Sequence, residues 1–376
     1  MSVVNFDFFD AQNVLLLVVL TVVTGSFLVQ FYYYIFIFRK VGKATPEQFS
    51  GQEKQPVSVI ICAKNEDRNL AKILPLVLEQ NYPEYEVIVV NDNSMDDSEE
   101  ILALAKAKYP RLQVRSLIAA DNSVHGKAVV LGVGIKAAGY DRVVLIDINC
   151  RPSANWLNSL SSGFNRDIAL GYARHKGHKI IRIANYFDSL FRLGYALNRK
   201  PYTASGENDS FRKELFFDKR FNPSLRKSEN AEPVFFNLIM NKQNTTVVLQ
   251  QDAIVESSKS LSLDNWYLEC SKDLFLKRLF RKDRHVRLPE IISKTLFYIT
   301  VPLAIFLTAG IKCLWIPVVG IFLIRLIIQI FVFRSTQKAL GEKELVVSAL
   351  FWDIYSIFIY LYIFMLFRQR RALKYQ

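Results

Sequence analysis

The run Val14–Phe38 (VLLLVVLTVVTGSFLVQFYYYIFIF) contains no charged residue. At ~1.5 Å of rise per helical residue it is long enough to cross a bilayer with some tilt. In hydrocarbon every backbone N–H and C=O must be bonded within the segment, so helix is the conformation open to it. No Lys or Arg precedes the run and it is too long for a signal-peptide core, which reads as an uncleaved anchor. Asp7 and Asp10 stand before it; Arg39, Lys40 and Lys43 follow. The positive-inside rule then places the amino end outside and the next domain in the cytoplasm.

Composition agrees: 51% of residues are hydrophobic, with 28 Phe and 17 Tyr. A formal charge of +13 would admit a nucleic-acid partner. In a chain with apolar spans it is better assigned to anionic lipid and to the positive-inside bias, and no nucleic acid is expected. Cys62, Cys150, Cys270 and Cys313 are scattered without a Cys-x-x-Cys pair, so neither a zinc site nor a disulfide framework is expected.

Five regions are expected. Residues 1–43 form the anchor, and 44–56, polar with two prolines, a linker. In 57–260 the β-branched runs VSVIIC (57–62), EVIVV (86–90), QVRSLI (113–118) and RVVLI (142–146) alternate with helical patterns. That is an α/β fold with a parallel sheet. In 261–290, Phe275, Leu276, Leu279 and Phe280 recur at helical spacing among Lys277, Arg278, Arg281, Lys282 and Arg284, the pattern of an amphipathic interfacial helix. Residues 291–376 form a carboxyl-terminal transmembrane region with apolar stretches Leu296–Ile311, Leu314–Phe333 and Val346–Phe367, the first two a hairpin turning at Lys312. If all three cross, the basic tail Arg368, Arg370, Arg371 and Lys374 ends outside, against the positive-inside rule. Either one segment is re-entrant or the tail breaks the rule.

Asp147 and Asn149 follow the apolar run Val143–Ile146, at the carboxyl end of a buried strand, where α/β folds place ligand chemistry. Two oxygen ligands one residue apart suit Mg2+ or Mn2+ that also holds a diphosphate. Asn keeps an oxygen but loses a charge, so binding should be weaker than at paired carboxylates. Lys64, Asn65 and Glu66 follow the first strand and Asp92 ends the second, so all can converge with Asp147 in one crevice. Asp92 is the better placed to accept hydrogen bonds from a base or ribose. Ser94, Asp96 and Asp97 read instead as a capping box opening the helix through Leu104. Gly126-Lys127 is no P-loop, because Ala128 replaces the Ser/Thr and Asp121 the first Gly. Lys127 either neutralises a diphosphate or is a solvated lysine in a first helical turn. His175 and His178 lack a nearby Cys or carboxylate cluster and read as surface residues. Trp156 and Trp266 read as packing residues before stacking platforms.

In order and spacing, VSVIICAKNE, VVNDNSMDD, HGKA, LIDINCRPSANWL and ASGENDSFRKELF resemble the membrane-anchored family 2 glycosyltransferases of bacteria, over roughly residues 57–260. The resemblance implies a GT-A, Rossmann-like nucleotide-sugar-binding domain flanked by transmembrane helices, in a multi-pass protein of the inner (cytoplasmic) membrane whose catalytic domain faces the cytoplasm. Carried onto this chain, it implies that Cys62, Lys64, Glu66 and Asp92 hold the nucleotide, Lys127 the diphosphate side, and Asp147 with Asn149 the metal. Gly206 and Asn208, and Trp266 beyond them, would shape the donor-sugar and acceptor region. The implied chemistry is inverting transfer from a nucleotide-sugar donor, a UDP-sugar first of all, to a membrane lipid or lipid-linked acceptor, with a general base removing the acceptor proton. Where the family keeps that base, the chain reads Lys227-Ser228-Glu229-Asn230-Ala231-Glu232-Pro233. Spacing allows Asn230 or Glu232 there, and an amide cannot take the proton. Glu232 is favoured and Glu229 is next. A Gln-x-x-Arg-Trp motif would fall near Trp266, Glu269 and Lys272 and is not intact, which implies a non-processive enzyme. The alternative is a catalytically degenerate homologue acting as a membrane-bound partner. A nucleotidyltransferase would need a Gly-rich, Arg-containing loop after the first strand, and Cys62–Glu66 has none.

Overall fold

The computed structural model describes residues 11–44, 54–117, 126–217, 231–259, 262–270, 281–309 and 314–373. The apolar amino-terminal run is helical: α1 (Ala11–Tyr32) passes through a π-helical stretch, Tyr33–Phe38, into α2 (Arg39–Gly42). From Val57 strands and helices alternate as β1 (Val57–Ala63), α3 (Asp67–Leu78), β2 (Tyr85–Asp92), α4 (Ser98–Lys108), β3 (Leu112–Leu117), α5 (Lys127–Ala137) and β4 (Arg142–Ile146). Shorter elements follow: β5 (Cys150–Arg151), α6 (Trp156–Leu160), β6 (Ile168–Leu170), β7 (Ala173–His175), α7 (Lys179–Leu197), β8 (Asn208–Arg212), α8 (Glu214–Phe217), α9 (Ala231–Ile239), β9 (Thr245–Val247), β10 (Val255–Ser257) and α10 (263–270). Three long helices come last: α11 (Arg281–Thr308), α12 (Trp315–Ala339) and α13 (Val346–Leu373).

Seven strands form one sheet in the order β3-β2-β1-β4-β8-β6-β9. β1 pairs in parallel with β2 and β4, and β4 turns antiparallel against β8. Val57, Val59, Ile60, Ile61, Val87, Ile88, Val89 and Val90 are all buried, the near-continuous apolar signature of strands covered on both faces. Helix α3 covers one face through Leu70, Ile73, Leu74, Val77 and Leu78, which recur at helical spacing. Helix α5 covers the other, and Gly134 lets it approach closely, since a Cβ there would sit 2.7 Å from Ile60 Cγ2. This parallel register brings the carboxyl ends of β1, β2 and β4 to one edge.

The anchor is part of the same core. Tyr33 and Phe38 lie edge-on to Phe191 of α7, with centroids 5.8 and 5.0 Å apart, and both are buried. Burying such a side chain is worth about 1.5–3 kcal/mol. Farther along, Val19 and Val23 of α1 pack with Phe297 and Val301 of α11 and Val318 of α12. Among the described residues four helices are long and apolar enough to cross a membrane: Asn13–Gly42, His285–Thr308, Trp315–Ala339 and Val346–Leu366. Among them lies a buried polar cluster. Arg325 donates to Asp353 at 2.6 Å, to Gln329 at 2.9 Å and to Gln30 at 2.5 Å, and Tyr34 also reaches Asp353.

Helix α13 packs on the sheet-bearing domain as well as on α12. The turn before it is held by Tyr172 and Arg182, which donate to Glu342, and by Arg174, which donates to the Gly341 carbonyl. Trp352 stacks on Phe187 of α7 and Tyr362 lies edge-on to Tyr267 of α10, with centroids 6.1 and 5.1 Å apart. Residues on its other face, among them Phe351, Phe358 and Leu361, are exposed.

One local expectation is corrected. Ser94 caps no helix: its hydroxyl donates to Asn91 Oδ1 and accepts from the Asn65 N–H, and α4 starts only at Ser98. Asp96 accepts from the N–H groups of Ser98 and Asp67, so these polar residues join two loops. The amphipathic stretch 271–280 and the turn at Lys312 lie outside the described residues.

Candidate active site

The loops after β1 and β2 are laced together. The Asn65 N–H donates to Ser94 Oγ at 2.9 Å, and the Met95 N–H donates back to Asn65 Oδ1 at 2.8 Å. Asn65 and Asn93 hold φ of 52° and 49°, left-handed backbone that Asn tolerates better than most residues. This holds Lys64 and Asp92 in an ion pair of 3.1 Å at the strand ends. Glu66 turns to Asn69, accepting its amide at 2.6 Å. Cys62 lies behind them, its thiol pushed up to about 12 by burial and by the carboxylates of Glu232, Asp147 and Asp92 against the opposing Lys127.

The metal candidates divide. Asp147 Oδ1 accepts from both the backbone and side-chain N–H of Asn149 at 2.9 Å. Asn149 Oδ1 accepts from Asn69 at 3.1 Å. The expected second ligand therefore has its oxygen turned to Asn69 and its amide to Asp147, and it orients the carboxylate instead. Asp147 lines the cavity. Among the described residues no cluster of three or more His, Cys, Asp or Glu surrounds a metal position. A single carboxylate is a donor set of the kind Mg2+ commonly takes from a protein.

Glu232 sits in the first turn of α9 with its side chain 5% exposed, 2.8 Å from Lys127 Nζ. Burial would lower the Lys127 ammonium, but Glu232 and Asp147 outweigh it and the net direction is up. Lys127 is therefore no free solvated lysine. Phe235 and Phe236 fasten α9 against Phe211, centroids 5.1 and 5.7 Å apart. Gly206 makes the approach possible: its φ is +76° and a Cβ would lie 2.7 Å from Glu232 Cβ. Glu229 and Asn230 lie outside the described residues.

Asn208 departs from its expected role. It is fully buried, bonds Trp156 Nε1 at 2.9 Å and donates to the carbonyls of Tyr172 and Ala253, so it braces the sheet and does not face the cavity. Trp266 does line the cavity and is 6% exposed. Glu269 pairs with Lys259 at 3.1 Å, while Lys272 lies outside the described residues.

His175 corrects the surface reading. Its Nε2 is 3.2 Å from Glu207 Oε2, beside the cavity. Burial alone would lower His175, but Glu207 outweighs it and the net direction is up. Burial alone would raise Glu207, yet His175 brings it to about 2. Glu207 also receives the Asp147 N–H at its carbonyl, 3.2 Å, so the pair stands against the strand-end loop. His178 merely caps α7. The cavity, about 300 Å³, has Lys127, Asp147, Glu207 and Glu232 on one side and Trp352, Ile359 and Ile363 of α13 on the other.

Residues 58–216 match the model of the family described as glycosyl transferase family 2. Glycosyltransferase AglE of Haloferax volcanii is 33% identical over 120 residues, 31% of this chain and 38% of that protein. Poly-beta-1,6-N-acetyl-D-glucosamine synthase of Staphylococcus epidermidis is 32% identical over 120 residues, 31% and 27% of the two chains. These curated relatives are thus matched over well under half of their own length. The mannosyltransferase PcManGT of Pyrobaculum calidifontis, solved with GDP-Man and Mn2+, superposes with a TM-score of 0.54 at 15% identity, covering 91% of this chain and 99% of that one. With the sheet order, the strand-end loops and the matched segment in agreement, the chain carries a glycosyl transferase family 2 domain on a GT-A fold.

Proposed function

We propose that this protein is a membrane-bound, inverting glycosyltransferase that moves single sugars from a nucleotide-sugar donor to an acceptor at the membrane surface. The observation that carries this is the cavity itself, with acid–base and charge-bearing groups on one wall and apolar side chains of a membrane-type helix on the other. Lys64 and Asp92 meet the nucleotide at the ends of β1 and β2. Asp147, braced by Asn149, would hold a divalent ion, which would offset charge on the leaving group. Glu232 takes the proton from the acceptor as its oxygen attacks the anomeric carbon, and the nucleoside diphosphate leaves from the opposite face. Lys127 fixes the Glu232 carboxylate toward the cavity, and Gly206 supplies the space for it.

In this reading α1, α11 and α12 cross and α13, which lines the cavity and packs on α7 and α10, lies in the interface. The basic tail then remains on the side of the catalytic domain, the cytoplasmic side by the positive-inside rule.

The test is release of free nucleotide from UDP-, GDP- and dTDP-sugars by the full chain in native lipids with manganese, beside Asp147→Ala. Metal-dependent release that is lost in the variant is expected. Release from no donor, despite nucleotide binding and an acceptor-rich lipid extract, would make the chain a non-catalytic homologue. Undiminished release by Asp147→Ala would remove the site assignment.

A further inference from the structure

The α7 wall of the cavity holds a charge that the transfer chemistry does not use. Ile181, Ala184, Asp188 and Arg192 face the cavity at intervals of three or four residues, so one stripe of the helix lines it. Arg192 is 3% exposed. Its one hydrogen bond among the described residues runs from Nη2 to Ser189 Oγ at 3.3 Å, and its Nε has no partner. Its charge acts on the buried carboxyls of Glu207 and Asp209, pulling both down, but the carboxylates around it take their hydrogen bonds from other donors. Glu207 pairs with His175, Asp188 with Arg287, and Asp209 accepts from the Gly206 N–H and the Ser205 hydroxyl.

A buried guanidinium with unfilled donors is costly unless something completes it. Its planar fork of N–H groups matches an oxyanion such as phosphate. Trp266 and the α13 residues Trp352, Ile359 and Ile363 complete the cavity with apolar surface, and α13 is itself exposed on its far face at Phe358 and Leu361. A free anion would have no use for that wall, and an uncharged lipid no use for Arg192.

We infer that Arg192 is the anchor of the acceptor subsite and that the acceptor is a lipid whose headgroup carries a phosphate. The phosphate sits at Arg192 with the chain running along α13, and a separate hydroxyl of the headgroup lies toward Glu232, which takes its proton as its oxygen attacks. This deepens the proposed transferase reading and rests on it for the word acceptor, while the lipid site itself is testable separately.

The full chain in detergent is titrated with dioctanoyl phosphatidic acid, with dioctanoylglycerol and with inorganic phosphate, following tryptophan fluorescence from Trp266 and Trp352. Phosphatidic acid is expected to bind well ahead of the other two. Arg192→Gln should weaken it about 10- to 100-fold, the range of a lost charge-assisted hydrogen bond, with affinity for manganese and nucleotide retained. Arg192→Lys should recover part of the loss. Equal binding of dioctanoylglycerol would overturn the phosphate, and equal binding of inorganic phosphate would overturn the lipid. Loss of nucleotide affinity in Arg192→Gln would move the arginine to the donor side and overturn the assignment. Should that variant not fold, the three-probe comparison on the unaltered chain still decides. Lipid binding without nucleotide release from any donor would strike the transferase reading and leave the lipid site standing.

Discussion

Gly206→Ala is the sharpest test of how the base is held. Two effects act together. At φ +76° an alanine occupies the left-handed region, which costs roughly 1–2 kcal/mol in an L-residue. The added methyl would also lie 2.7 Å from Glu232 Cβ and 2.9 Å from Glu232 Cγ, so α9 or the glutamate must retreat by several tenths of an ångström to reach ordinary contact. Misplacing a reacting group by ~1 Å costs about 100-fold, so a retreat of this size should lower kcat by about 10- to 100-fold. Nucleotide affinity should stay near normal, because Lys64 and Asp92 are on another loop. The assay is nucleotide release under saturating donor, with thermal melting as the folding control. Turnover within twofold of normal in a protein that melts a few degrees lower would refute the reasoning, since Glu232 would then tolerate displacement that no general base should. A drop in affinity for nucleotide with kcat intact would refute it equally.

Two further outcomes are expected. Arg325→Met removes one partner of a buried ion pair and leaves Asp353 with only the neutral donors Tyr34 and Gln329, a change of the kind that costs ~3–5 kcal/mol, so the variant should melt far lower in detergent. Arg325→Met with Asp353→Leu should melt well above the single variant. The His175–Glu207 pair predicts a pH window: the depressed carboxyl contributes above its ordinary 4.5 and loses this as pH falls toward about 2, and the raised imidazole contributes below 6.5 and loses this as pH rises through its folded value. The melting difference between the unaltered chain and His175→Gln should therefore be largest between pH 4.5 and 6.5 and shrink toward pH 9, and a flat difference would contradict the pair.

What the chain reveals before folding follows from range. β1, β2 and β4 are legible because both faces are buried and the runs are nearly unbroken apolar sequence. β6, β7, β9 and β10 have three residues each, too few to display any period. Asp147 stands out because it directly follows a buried run, whereas His175 and Glu207 are 32 positions apart and neither sits in a cluster. The turning of the Asn149 amide toward Asp147 depends on Asn69, which sequence spacing does not bring near. Hydropathy marks α13 as apolar but is blind to its neighbours, and only the contacts of Trp352 and Tyr362 show that it also packs on the domain.

The anchor's place in the core has a practical reach. Tyr33, Phe38 and Val41 share one apolar cluster with Phe235 and Phe236 beside Glu232. Cutting the chain ahead of Val57 would therefore not liberate a water-soluble catalyst. It would strip Tyr33, Ile37 and Phe38 from α7 and leave Phe191 and the Gly194 surface bare. Such a fragment should clump or recruit detergent, and its failure in an assay would say nothing about catalysis. For this protein the amino-terminal helix belongs to the domain's own core, and any version without it would first need that surface rebuilt from polar side chains.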